Sequence, residues 1–191
     1  MSTILLLALI AGSSAWGSNG GLFPLGGPYG KALKADTKKG DYYSPDDLSP
    51  HLIWYVTFIS DAFRDQFLRQ YQKIYPEGQD FLAQKKAELW LKPNPEAEFF
   101  VALYAHPKEM TNLGDEQSLW DLSLEISGKT YKPSRVEAID IDPFERRFFS
   151  YLNQWYRGYR VVFPVTGLDD RSRAFTLHLT SVTGHSSLKF D

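Results

Sequence analysis

Apolar residues in the middle of the chain recur at the spacing of a helix. Ser49, a capping residue, precedes Pro50, and this pair is expected at a helix start. An apolar row then continues at every fourth position, and its members are Tyr55, Ile59, Phe63, Phe67, Tyr71 and Tyr75. Charged residues occupy the other sides, so the pattern predicts an amphipathic helix packed on an apolar surface. Residues 53–58 are also aromatic and β-branched enough to form a strand instead.

A second short helix is predicted over residues 79–89, before Pro93 and Pro95 break the chain. Beyond these prolines the hydrophobic period changes to two. Residues 97–105 are apolar on both faces, which predicts a central strand covered on both sides, with the first helix as one cover.

The rest of the chain consists of short alternating segments. Residues 119–126 place Trp120 and every second residue after it inward, as in a half-buried strand. Residues 143–152 are richer in charge and predict a single helical turn. Further short strands are predicted at residues 136–141, 159–163, 174–180 and 187–190.

These elements predict an α+β fold with one or more N-terminal amphipathic helices on an antiparallel, immunoglobulin-like β-sandwich. Turns every 8–12 residues are typical of such sandwiches. The predicted organisation is a signal peptide at 1–15, a flexible Gly/Pro-rich tether at 16–47, a helical layer at 48–92 and the β-sandwich at 93–191. We expect residues 48–191 to fold as one unit.

The first residues of the chain have the pattern of a secretory signal. The apolar run over residues 4–11 is too short for a bilayer, which needs about 20 residues, and small residues follow it. A signal peptidase that reads Ser13 and Ala15 would cut before Trp16. The start Met1-Ser2-Thr3 lacks the basic residues usual in a signal. The alternative is therefore an apolar helix or strand that packs into the core.

Leu9-Ile10-Ala11-Gly12 resembles the lipobox of bacterial lipoproteins, in which the next residue is the cysteine that receives the lipid. Ser13 stands at that position here, and the chain has no cysteine. The resemblance implies processing between Gly12 and Ser13. It implies membrane attachment only through an N-terminal anchor, and only if the native gene encodes Cys in place of Ser13.

Composition removes several classes of function. The net charge is −2 with both signs interspersed, so the chain lacks the basic footprint of nucleic-acid binding. Without cysteine, disulfides, thiolate catalysis and thiolate metal sites are excluded. The thirteen Phe, eleven Tyr and five Trp residues indicate a β-rich, aromatic core, or alternatively a platform for a sugar or peptide.

Motifs for catalysis, metals and cofactors are not recognisable. The four histidines lack metal-ligand spacing, and they are His51, His106, His178 and His185. The acidic pairs Asp140/Asp142 and Asp169/Asp170 could share a calcium ion, although both also suit turns. A serine-nucleophile elbow and a phosphate-binding glycine loop are missing from the sequence. We therefore predict a protein without cofactor or metal that is not an enzyme.

One aromatic constellation is the candidate binding site. It consists of Trp155, Tyr156, Arg157 and Tyr159, beside Phe148 and Phe149. Aromatic residues and arginine are enriched among interface anchors, although alternation could turn most of these side chains into the core. The sequence predicts a non-catalytic exported protein, in the periplasm or associated with the outer membrane, that binds an envelope protein or supports an envelope assembly. The alternatives are a carbohydrate- or small-ligand-binding module and a hydrolase without a recognisable motif.

Overall fold

The computed structural model describes residues 26–43, 49–76, 95–168, 174–182 and 184–191. The helices are α1 (Gly27–Asp36), α2 (Asp61–Ile74) and α3 (Pro143–Phe148), with a 3₁₀ turn at Lys108–Thr111. The strands are β1 (Thr37–Tyr43), β2 (Pro50–Phe58), β3 (Glu96–Ala105), β4 (Asp121–Ile126), β5 (Lys129–Tyr131), β6 (Arg135–Ile139), β7 (Arg157–Thr166), β8 (Phe175–Thr180) and β9 (His185–Phe190).

The strands form two antiparallel sheets. The five-stranded sheet has the order β1-β2-β3-β7-β6, and the four-stranded sheet has the order β5-β4-β8-β9. Strand β3 lies in the middle of the larger sheet, where Val101 pairs with Val56 of β2 and with Tyr159 of β7. The fold is therefore α+β with two β layers, as the hydrophobic pattern predicts.

One hydrophobic core lies between the two sheets. Strand β2 contributes Leu52, Trp54 and Val56, and the same core includes Leu177 and Leu188 from the four-stranded sheet. The Trp54 indole N–H donates to Ser186 Oγ at 2.9 Å, so even the polar atom of this core residue is bonded. A Cβ atom at Gly40 would lie 2.4 Å from that indole nitrogen, so β1 requires glycine there.

A second core lies on the opposite face of the five-stranded sheet, which we call the helical face. Phe100 and Ala102 of β3 point to this side and share the core with residues of the three helices. Phe149 stacks on Phe100 with ring centroids 4.4 Å apart, and Phe148 stacks on Phe67 at the same distance. Both faces of β3 are thus covered, and helix α2 is one cover, as expected.

A buried charged cluster joins α2 to the helical face. The Glu98 carboxylate is 1% exposed and accepts from Arg64 Nη2 at 2.7 Å and from Arg160 Nε. Arg64 is also buried and reaches Asp61 at 2.9 Å. Each buried charge therefore has a partner of opposite sign, which is the condition for burial without a large penalty.

The structure corrects the predicted tether at 16–47. Residues 27–43 form α1 and β1, and Tyr29 and Leu33 are buried against α2. The tether prediction was wrong there because charged β1 has no apolar periodicity and is held by its backbone ladder with β2. The predicted signal at 1–15, the tether up to residue 25 and the predicted helix at 79–89 lie outside the described residues.

The predicted helix start at Ser49-Pro50 is also wrong. Pro50–Phe58 is strand β2, which was the alternative for residues 53–58. The helix begins at Asp61, where the Ser60 hydroxyl accepts from the Phe63 backbone N–H at 3.0 Å. In the sandwich region each predicted strand overlaps an observed one, and Pro143–Phe148 lies within the predicted helical turn. Strand β5 was not predicted.

Candidate functional site

A short loop between α3 and β7 carries most of the predicted binding residues. The Asn153 side-chain oxygen accepts from the Trp155 backbone N–H at 2.9 Å, and its carbonyl accepts from the Tyr156 N–H at 3.4 Å. Such a turn is one that asparagine favours through bonds to the backbone just ahead. Leu152 anchors its base in the second core. Trp155 therefore sits at the tip, with 67% of its surface exposed.

Trp155 borders an apolar groove of about 340 Å³, which we call the aromatic groove. Its lining residues are Pro50, Ile53, Tyr104, Asn153, Trp155 and Tyr156. Ile53 and Tyr104 are paired across β2 and β3 on the helical face. The aromatic groove thus lies at one end of the helical face, where residues of β2 and β3 meet the loop between α3 and β7.

A stacked pair of tyrosines packs beside Tyr156, which lines the aromatic groove. The rings of Tyr55 and Tyr151 are parallel at 4.6 Å, and Tyr156 meets Tyr55 edge-on at 5.7 Å. The Tyr151 hydroxyl is hydrogen-bonded to Thr57 Oγ1 at 2.6 Å. Burial raises the pKa of Tyr156 to about 12 and also raises the pKa of Tyr151. These hydroxyls stay protonated at neutral pH and serve as neutral hydrogen-bonding groups.

Two polar grooves flank the same loop. One of about 490 Å³ is lined by Lys108, Glu109, Thr111, Gln154, Trp155, Tyr156 and Arg157. The other, of about 240 Å³, is lined by Ala138, Ile139, Asp140, Ile141, Arg146, Asn153, Gln154, Tyr156 and Arg157. Arg157 therefore contributes to both polar grooves, and Tyr156 contributes to all three.

Three of the four predicted binding residues lie together in the structure, and the fourth lies in the core. Trp155, Tyr156 and Arg157 line adjoining grooves. Tyr159 is 2% exposed in the core between the sheets, and its hydroxyl donates to the Thr111 carbonyl. Alternation along β7 turns it inward with Val161. Tyr159 is therefore a core residue.

Sequence reasoning missed the groove residues contributed by the strands. The sequence pattern predicts Ile53 in a helix, with a strand as the alternative, and it predicts Tyr104 in a strand covered on both faces. The missing information is non-local, because it depends on where the helical cover stops above β2 and β3. A tyrosine at the end of an otherwise apolar strand was the available signal, since tyrosine suits a partly wet boundary.

Of the histidines and acidic pairs, His178 and Asp142 make structural contacts. His178 contacts Glu125 at 3.1 Å through Nε2 and Ser187 at 2.9 Å through Nδ1, on the outer face of the four-stranded sheet. Asp142 caps α3 by accepting from the Phe144 and Glu145 backbone N–H groups. Within the described residues, no group of three or more His, Cys, Asp or Glu is arranged to hold a metal ion. Asp169 and Asp170 lie outside them.

Asp142 and Glu145 form a reciprocal capping box whose two carboxyls titrate differently. Burial and the Asp142 side chain raise the pKa of Glu145 to about 7. The bond with Glu145 and the backbone N–H donors lower the pKa of Asp142. Both carboxyl groups therefore act on the start of α3.

Three further points concern membrane spans, the predicted processing residues and similarity to known proteins. None of the helices in the described part of the chain combines the length and apolar character needed to span a bilayer. The predicted processing residues Gly12, Ser13 and Ala15 lie outside the described residues. No protein-family model, no curated protein and no solved structure matches this chain.

Proposed function

We propose that this chain is a non-catalytic, exported cell-envelope protein that binds a protein partner through the aromatic groove. The observation that carries the proposal is the exposure of Trp155 at the tip of a hydrogen-bonded turn beside an apolar groove. Tryptophan, tyrosine and arginine are the residues most enriched among interface hot spots.

The other described tryptophans show how unusual Trp155 is. Trp54 and Trp120 are buried, and their indole N–H groups donate to Ser186 Oγ and to the Met110 carbonyl at 2.9 and 2.6 Å. Covering the Trp155 ring with a partner would remove a large apolar surface from water, worth about 1.5–3 kcal/mol for a large side chain. The bond from Asn153 fixes the backbone at Trp155, so little additional backbone ordering is needed on binding.

The groups around the grooves support binding rather than catalysis. They are tyrosine and threonine hydroxyls, amides and side chains of both charge signs, and no histidine of the described residues lines the three grooves. A carbohydrate- or small-ligand-binding module is the second candidate function. It is favoured by the Trp155 ring that borders a groove with Gln154 and Arg157 as hydrogen-bonding groups.

The export part of the proposal depends on residues 1–15 and their small-residue boundary. Placement in the periplasm or at the outer membrane follows from that signal and from the lipobox resemblance. The immunoglobulin-like form of the two-sheet sandwich likewise stays a prediction about class. A Ser13→Cys variant expressed in a bacterial host is expected to incorporate labelled lipid in a globomycin-sensitive manner. A soluble, unlabelled product would contradict the lipoprotein origin.

Site-directed photocrosslinking tests the binding proposal. We would place benzoylphenylalanine at Gln154, beside Trp155, and irradiate the tagged chain in intact envelopes. One discrete crosslinked species is expected, and Trp155→Ala should abolish it. Val182→Ala is the matched control, because Val182 is 91% exposed and lies outside the grooves. A crosslink that survives Trp155→Ala, or no crosslink at all, would contradict the proposed function.

A further inference from the structure

We propose that the aromatic groove binds an extended, proline-rich peptide segment that carries an acidic residue beside its prolines. This inference rests on the proposed function and names the class of partner segment. It depends on three properties of the groove, which are its ring surfaces, its hydrogen-bonding groups and the charges that flank it.

The groove offers ring surfaces at several angles. Tyr104 and Tyr156 meet edge-on with centroids 6.5 Å apart, and Trp155 stands beside them. Pro50 and Ile53 complete the apolar wall. The groove is the cleft between this pair of rings and Trp155. Pyrrolidine rings of a polyproline II helix pack into such aromatic clefts, because their shape is fixed before binding.

The polar atoms of the groove suit the backbone of that helix. Polyproline II has no internal hydrogen bonds, so its carbonyls accept bonds from a binding surface. Tyr104 brings a hydroxyl and Trp155 brings an indole N–H. The Tyr156 hydroxyl is already hydrogen-bonded to Tyr55, so Tyr156 contributes its ring. The carbonyls of an α-helical ligand would already be bonded within the helix.

The position of the groove argues against strand addition. It lies on the face of β2 and β3, and each of these strands is paired on both sides within the sheet. An added strand requires an unpaired edge, whereas a polyproline II segment can lie across a face.

Positive charge next to the aromatic groove favours an acidic residue beside the prolines of the bound peptide. The two polar grooves together are lined by three cations, Lys108, Arg146 and Arg157, and by two carboxylates, Glu109 and Asp140. This local excess of positive charge contrasts with the net charge of −2 for the chain. Arg157 lies in both polar grooves, where its planar guanidinium can pair with a carboxylate in two parallel hydrogen bonds.

Peptide titration tests this inference on the full chain. The probes are fluorescein-labelled decaproline followed by two Asp, the same peptide followed by two Lys, and a Gly/Ser decapeptide followed by two Asp. Anisotropy should show saturable binding of the Asp-flanked decaproline and at least about tenfold weaker binding of the others.

Trp155→Ala should weaken the binding of the Asp-flanked decaproline at least about tenfold, and Val182→Ala should leave it unchanged. Arg157→Glu should reverse the preference between the Asp- and Lys-flanked peptides. Circular dichroism confirms that each variant is folded.

The outcomes separate this inference from the proposed function. If Trp155-dependent crosslinking occurs in envelopes but unlabelled Asp-flanked decaproline does not compete with it, the protein-binding function stands and this inference fails. Equal binding of the Gly/Ser peptide would also overturn it. Displacement of the crosslink by chitotetraose but not by the proline peptide would overturn it in favour of a glycan site.

Discussion

The helical face of the five-stranded sheet has two ends that use different aromatic residues. At the end covered by helices, Phe63, Phe67, Phe148 and Phe149 pack over Phe100, and all five are buried. At the other end, Tyr104, Tyr156 and Trp155 border the aromatic groove and are only partly covered. Phenylalanine predominates where the helices exclude water, and a tyrosine buried there, Tyr29, donates its hydroxyl to the Phe148 carbonyl at 2.9 Å. The rings at the open end carry polar atoms where water remains.

The two ends also treat charge differently. At the covered end Glu98 is enclosed by Arg64 and Arg160. At the open end Arg157 and Lys108 line grooves that solvent enters. A paired buried charge fixes one arrangement of the helix on the sheet, whereas an exposed charge is available to a ligand. The covered end therefore serves stability, and the open end is suited to recognition.

The largest effect is expected from removing a ring at the covered end. Phe149→Ala should lower the free energy of unfolding by about 3–5 kcal/mol, because it leaves a cavity beside Phe100. Urea unfolding followed by far-UV circular dichroism measures the change. A loss below about 1 kcal/mol would contradict a closely packed helical cover.

Removal of the buried carboxylate is expected to have the next largest effect. Glu98→Ala should lower the free energy of unfolding by about 3 kcal/mol, because it leaves Arg64 buried with an unbalanced charge. The loss is at the low end of the usual range because Arg64 also reaches Asp61, and Arg160 also reaches Glu137. Glu137→Ala is the matched control, and as an exposed pair it should change stability by less than about 1 kcal/mol. Equal losses of stability in Glu98→Ala and Glu137→Ala would contradict the distinction between the buried and the exposed ion pairs.

The Asp142/Glu145 capping box at the start of α3 predicts a smaller, pH-dependent effect on stability. The pKa of Glu145 rises from 4.5 to about 7 on folding, so the folded state favours its protonated form. This contribution to stability is complete below pH 4.5 and is lost as the pH rises through about 7. Glu145→Gln should therefore flatten the fall in Tm over this window. Scanning calorimetry at several pH values measures it, and identical profiles for the two proteins would contradict the pKa shift.

The smallest stability effect is expected at the open end. Trp155→Ala should change the free energy of unfolding by no more than about 0.5 kcal/mol, because its ring is mostly in water. The same denaturant titration applies, with Phe149→Ala as the contrasting variant. A destabilisation above about 2 kcal/mol would show that Trp155 belongs to the core, and its role in binding would then need revision.

The layers of the fold could be predicted from local patterns, but their boundaries could not. Residues 97–105 and 119–126 were correctly predicted as strands because side-chain alternation is a local property. Tyr55, Ile59 and Phe63 keep helical spacing across a strand, a turn and a helix start, so the row looks continuous. Because of this coincidence, the sequence pattern predicts a helix where the structure has β2.

The candidate site was predictable only in its loop. Trp155, Tyr156 and Arg157 are neighbours in sequence, so their association needs no tertiary information. Tyr159 could have been excluded, because strand alternation places it inward with Val161 and Phe163. Pro50 and Tyr104 reach the groove only through sheet register and the limit of the helical cover.

The bond between Trp54 and Ser186 joins residues 132 positions apart in the chain. A ribosome adds about 5–20 residues per second, so about 7–26 s pass between synthesis of the two partners. During that interval the four-stranded sheet that covers the inner surface of β2 is incomplete, because β8 and β9 are its last strands in the chain. The core between the two sheets can therefore close completely only after nearly the whole chain has been made.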